Sequence, residues 1–127
     1  MIRVDHIGLP ARTRLDAARF LAGLLDLDLD RDIADDGRFA SLKVSPEFTI
    51  VFYDFEQIQP THVAFRVDDA TFDAILKRMQ SQGVGYGSQP NDPANGRTDH
   101  PLSERGLFFR MPDGHLFELM ASSSGEA

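Results

Sequence analysis

Apolar residues recur along this chain in two rhythms, and the rhythms alternate twice in the same order. Residues 2–11, Ile-Arg-Val-Asp-His-Ile-Gly-Leu-Pro-Ala, carry the aliphatic and β-branched content of a short strand, which Gly8 weakens. Residues 13–25 switch to helical spacing, with Leu15, Ala18, Leu21, Ala22 and Leu25 on one stripe. Thr13 is placed to cap this helix, with Asp16 three residues on. Strand-like runs follow at 38–44 and 48–55 around the turn residues Ser45-Pro46-Glu47, and 27–33 offers an earlier strand. The order restarts at 60–69, Pro-Thr-His-Val-Ala-Phe-Arg-Val-Asp-Asp. A helix is predicted over 70–82, with Phe72, Ile75, Leu76 and Met79 on its stripe, Asp69 or Thr71 as cap and Gly83 as stop. Strands are predicted at 84–88, 106–111 and 115–121. The last two are joined by Pro112-Asp113-Gly114, a strong hairpin signal.

Each half therefore reads strand, helix, then about three strands. This predicts an α+β fold of two paired βαβββ modules, about residues 1–58 and 60–121, within a single domain over 1–121, and a flexible tail at 122–127. With 127 residues the chain is long enough for one such domain and too short for two independent ones. Two sheets curving around a shared cleft make a favourable small-molecule site.

Charge and composition remove several classes of function. A formal net charge of −7 opposes binding to a phosphate backbone, so no nucleic-acid partner is expected. The aspartates at 26–32 and 35–36 read as a solvated helix end and loop, because the Gly and closing Glu of a calcium loop are absent. There is no cysteine, which excludes thiolate metal sites and thiol nucleophiles. No apolar run reaches membrane-spanning length and the N-terminus lacks a signal-type stretch, so a cytoplasmic protein without a membrane partner is expected. Neither a Gly-Lys phosphate loop nor a Gly-x-Ser-x-Gly elbow is present.

The chemistry lies in the repeat. His6-Ile7-Gly8-Leu9 parallels His62-Val63-Ala64-Phe65, so His6 and His62 occupy equivalent positions. Glu118 stands inside the apolar run Leu116-Phe117-Glu118-Leu119-Met120, where an unpaired carboxylate is costly. Pairing with Arg110 or another cation would answer that cost, and so would a metal ion. Two imidazoles and one carboxylate form a ligand set for divalent metals that leaves positions open for substrate. Aligning the two turns puts Val51 opposite Glu118, with Thr49, Val51 and Tyr53 on the matching face; none is a strong ligand, so three protein ligands are expected, not four. Tyr53 is a candidate for an inward hydrogen bond, and Tyr53 and His100 are the candidates for substrate contact or proton transfer. Three positions from Glu118, His115 falls on the opposite strand face and reads as a turn or surface residue. His100 lies in a long polar loop, 85–105. There Arg97, Asp99, His100 and Arg105 either line a substrate mouth or, the blander reading, are solvated.

Three segments carry a family likeness: Val4-Asp5-His6-Ile7-Gly8-Leu9, Thr61-His62-Val63-Ala64-Phe65 and the closing run Arg105 to Leu119, above all Pro112-Asp113-Gly114-His115-Leu116-Phe117-Glu118-Leu119. Together they resemble the glyoxalase/bleomycin-resistance/extradiol dioxygenase superfamily, also called vicinal-oxygen-chelate proteins. The resemblance implies a curved sheet around a metal-binding cleft, with His6, His62 and Glu118 as ligands of one divalent ion such as Fe, Mn, Ni or Zn. It implies an enzyme that chelates neighbouring oxygens of a small-molecule substrate, of lyase, isomerase or ring-cleaving dioxygenase type. The alternative is a non-catalytic small-molecule or drug-binding protein of the bleomycin-resistance kind. Glyoxalase I adds a fourth ligand from its first module, where this chain has Val51; the His-His-Glu set looks more like extradiol dioxygenases and fosfomycin-modifying enzymes. The resemblance also implies a homodimer.

Overall fold

Strand alternation sorts the first repeat into two faces, and the structure uses both. In the computed structural model, which describes residues 1–121, the chain divides into two compact units, Met1–Gln59 and the segment from Pro60 on. Unit 1 holds β1 (His6–Ala11), α1 (Arg14–Leu25), β2 (Ile33–Asp35), β3 (Phe39–Ser45) and β4 (Phe48–Asp54). Its sheet has the order β1-β4-β3-β2, with β1 parallel to β4 and the remaining pairs antiparallel. Leu9, Ala11, Ala40, Leu42, Ile50 and Phe52 are fully buried on the face that receives α1, whose Ala18, Leu21, Ala22 and Leu24 are buried in turn. His6, Gly8, Val51 and Tyr53 belong to the opposite face.

Unit 2 holds β5 (His62–Val67), α2 (Asp69–Gln82), β6 (Arg105–Arg110) and β7 (Leu116–Ala121), with sheet order β5-β7-β6. Here β5 runs parallel to β7, and β6–β7 is the hairpin expected around Pro112-Asp113-Gly114. The Gly114 N–H donates to the Met111 carbonyl at 2.8 Å, with Gly114 at φ 102°, a left-handed conformation that favours glycine. Phe117 stacks on Phe109 at 5.6 Å and meets Phe65 in a tilted contact at 5.8 Å, and α2 covers β7 with Phe72, Ile75 and Met79 buried. This is an α+β fold in which unit 1 is a βαβββ module and unit 2 a βαββ module, with one bridge at Gly87 where the repeat would have its third strand.

Several elements differ from expectation, each for a local reason. Residues 27–33 do not form a strand. The Asp28 carboxylate accepts the backbone N–H groups of Asp30 and Arg31, winding the segment into a turn, and the strand begins only at Ile33. Residues 84–88 contribute a single bridge, Gly87 to Phe108. Around it the Asn95 side chain accepts the Ser88 N–H and donates to the Ser88 hydroxyl, so the chain folds back on itself instead of extending. Thr13 holds the N-cap position without a side-chain hydrogen bond; Asp54 instead accepts the Arg14 N–H at 2.8 Å. Helix α2 is capped by Asp68, not by Asp69 or Thr71, and stops at Gly83 as expected. The expected tail, 122–127, lies outside the described residues. Among the described residues no helix is long and apolar enough to cross a membrane.

The Asp68 cap sets a pH dependence. Hydrogen bonds from Thr71, side chain and backbone, hold the Asp68 carboxyl below its ordinary value. A carboxyl lowered in the folded state stabilises above its unfolded pKa, about 3.9, and that contribution is lost as pH falls through the folded value. Asp68→Ala is expected to lower the thermal midpoint at neutral pH, with the gap to wild type closing in acid below the ordinary carboxylate range. Thermal melts of both proteins across pH 2–7 check this.

Candidate functional site

Parallel pairing in each unit fixes what each histidine faces. In unit 2, His62 is in register with Leu116 and Ala64 with Glu118; in unit 1, His6 is in register with Thr49 and Gly8 with Val51. His6 and His62 are thus equivalent by strand register, and Val51 stands where the other repeat has Glu118. Parallel partners share a face, so His62 and Glu118 lie two positions apart on one surface of the unit 2 sheet.

Their side chains meet there. His62 Nε2 is 2.7 Å from Glu118 Oε1, with the imidazole 51% exposed and the carboxylate 7% exposed. The second oxygen, Oε2, is 2.5 Å from Nε2 of His100, whose side chain is wholly buried. The Leu102 N–H donates to His100 Nδ1 at 3.0 Å, so this nitrogen is an acceptor and the ring proton sits on Nε2, donating to Glu118. Phe108, in register with Glu118, stacks on His100 at 5.1 Å and lies 6.1 Å from the His62 ring. Gly106 makes the space: a Cβ there would stand 2.5 Å from His100 Cδ2 and 2.6 Å from the Leu119 carbonyl oxygen.

The structure thus changes the account of the loop. His100, expected more as a solvated loop residue, is buried against Glu118. Arg97 and Asp99 form an exposed pair with each other, and Arg105 bridges to Asp69 and Asp73 of α2. Arg110 does not neutralise Glu118; it donates to the Gly114 carbonyl. His115 is not at the surface. It is fully buried, and its Nδ1 accepts the Thr61 N–H at 3.0 Å, which anchors the residue before His62. Alternation along His115, Phe117 and Leu119 carried that signal, since all three fall on the core face. Phe108 was missed as well; counting back from the Pro-Asp-Gly turn places it opposite Glu118.

In unit 1, Nδ1 of His6 is 2.8 Å from Asp5 Oδ2 and both side chains are exposed. A carboxylate on one ring nitrogen is the usual outer partner of a metal-binding histidine, leaving Nε2 as the free lone pair. Tyr53 lies on the same face, its ring 3.5 Å from where a Gly8 Cβ would be and in edge contact with Phe55. Unit 1 also has a recess of about 750 Å³ lined by Arg12, Asp54, Phe55, Glu56 and Gln57. It opens at the far end of β1 from His6, roughly 17 Å along the strand, and its lining holds no imidazole. The carboxylate–imidazole cluster, not this recess, has the chemistry of a site.

An imidazole nitrogen and a carboxylate oxygen are both donor types that divalent ions accept. His62 Nε2 and Glu118 Oε1 stand 2.7 Å apart, at hydrogen-bond distance, and would be the two atoms to hold an ion here. Among the described residues no three His, Asp or Glu side chains converge as a complete cage; His62 and His100 address different oxygens of Glu118.

This frame has solved counterparts. Oxidase ChaP-H1 superposes with a TM-score of 0.83 at 28% identity, covering 94% of both chains. Oxidase ChaP-H2 gives 0.82 at 27%, covering 93% of this chain and 91% of its own. The fosfomycin resistance protein FosX from Mesorhizobium loti gives 0.66 at 24%, covering 94% and 92%, a likeness of fold. The chain has the vicinal-oxygen-chelate fold. No protein-family model matches it. Structures similar to it include oxidases and fosfomycin-resistance proteins, so the fold admits several chemistries.

The packing of His100 leaves no room for a side chain at Gly106. Gly106→Ala is expected to destabilise the protein by about 1–3 kcal/mol, because one of the obstructing atoms is backbone. Gly23→Ala, whose Cβ would meet nothing within 4 Å in the interior of α1, is expected to be stabilising by about 0.5–1 kcal/mol. Denaturant unfolding of the two variants beside wild type reads the difference.

Proposed function

We propose that this vicinal-oxygen-chelate protein is a divalent-metal-dependent enzyme acting on a small molecule through two neighbouring oxygens. The observation that carries the reading is the buried Glu118 carboxylate, whose Oε1 lies beside the exposed imidazole of His62. A buried carboxylate is expensive to retain without a purpose, and this one meets a half-exposed nitrogen donor at the surface. His62 and Glu118 are the proposed ligands. His6 is the proposed third, on the ground that it is equivalent to His62 by strand register and has its own carboxylate partner, Asp5.

When bound, the ion supplies Lewis acidity toward the substrate oxygens and, where it is redox-active, an electron path. Two neutral imidazoles and one carboxylate cancel one of its two charges, which favours an anionic, deprotonated chelating group on the substrate. Phe108 offers an apolar ring against His62, suited to a flat or apolar substrate portion. Tyr53 remains a proposed hydrogen-bond donor to substrate. An oxidase must move electrons, which zinc cannot do. The likeness at 27 and 28% identity to two oxidases therefore favours a redox-active ion over zinc within the proposed set.

Protein purified without an affinity tag is expected to carry near-stoichiometric metal by elemental mass spectrometry, and His6→Ala/His62→Ala/Glu118→Ala to carry none. If neither wild type nor reconstituted protein retains metal, the reading fails and binding of a small molecule without turnover takes its place.

A further inference from the structure

The His100 ring is buried, stacked on Phe108 and accommodated by the missing side chain at Gly106. Its Nδ1 is committed to the Leu102 N–H and its Nε2–H points at Glu118 Oε2. Nothing in this arrangement leaves a ring nitrogen free to meet a substrate or an ion, so His100 fits neither of the chemical roles expected for a histidine in such a loop. We infer that His100 is a positioning residue: its Nε2–H pins Oε2 of Glu118, so that the carboxylate presents Oε1 alone beside His62.

The inference rests on the metal reading for its purpose, though not for its geometry. A carboxylate free to rotate could offer both oxygens to one ion and occupy two coordination positions. With Oε2 held, Glu118 binds through a single oxygen and one more position stays open for substrate. Outer partners of this kind typically contribute 10- to 100-fold to metal affinity. The loop between α2 and β6 then has a specific task. Thr98 accepts the Gly106 N–H through its carbonyl at 3.0 Å, and the Ser103 hydroxyl donates to the Ala121 carbonyl at 2.6 Å, fastening the loop to the sheet on both sides of His100.

Three measurements on the full chain test this. In metal-free wild type, long-range ¹H–¹⁵N spectra are expected to show His100 as the neutral Nε2–H tautomer; the Nδ1–H form would overturn the inference. In calorimetric titrations with Mn²⁺, His100→Leu, which fills the space without a donor, is expected to weaken binding by about 10- to 100-fold. His100→Gln, whose amide N–H can take the place of Nε2–H, is expected to stay close to wild type. Binding by His100→Leu equal to wild type, or a loss in His100→Gln as large as in His100→Leu, rejects the positioning role; the second result would make the imidazole itself a ligand. Thermal melts of the metal-free variants separate these effects from misfolding. If wild type takes up no Mn²⁺, the metal reading fails and the tautomer measurement alone decides the inference.

Discussion

A carboxylate inside an apolar strand has to be answered by hydrogen bonds, and in this protein the answer organises the second unit. Glu118 sits in β7 among residues that are nearly all buried, and both of its oxygens have partners: Oε1 with His62 and Oε2 with His100. Satisfying Oε2 requires an imidazole to be brought in from a long polar loop. The loop must therefore be held to the sheet, the ring needs the flat face of Phe108, and β6 must give up a side chain at Gly106. Remove the carboxylate and these features lose their common reason.

The two repeats share a plan and differ where the plan would double the charge. Register pairs His6 with His62 and sets Val51 against Glu118, so one repeat supplies a histidine and the other a histidine with a carboxylate. Gly8 stands where the second repeat has Ala64, and a Cβ there would meet the Tyr53 ring at ordinary contact distance, 3.5 Å. The outcome is one strand carboxylate in the second repeat where the first has an aliphatic side chain. The solved structures with this frame carry different names, so the frame alone does not fix the chemistry.

Period and pairing made much of this legible from the sequence. The helices at 14–25 and 69–82, the Pro-Asp-Gly hairpin and the correspondence of Val51 with Glu118 all follow from local spacing. The same alternation put His115 on the face opposite Glu118, and carrying it one step further would have placed His115 in the core. The strands expected at 27–33 and 84–88 failed because side chains compete with the ladder: Asp28 captures backbone N–H groups in one, and Asn95 captures Ser88 in the other.

His6, His62 and Glu118 stood out from the sequence alone, because a repeat makes equivalent histidines visible and an apolar run makes a carboxylate conspicuous. The part played by His100 was decided only by tertiary structure. Eighteen positions separate it from Glu118, across a loop with no periodicity, and no spacing rule predicts which residue of such a loop is buried. That depended on the space beside Gly106, the stacking surface of Phe108 and an unsatisfied oxygen, which come together only when the sheet has formed.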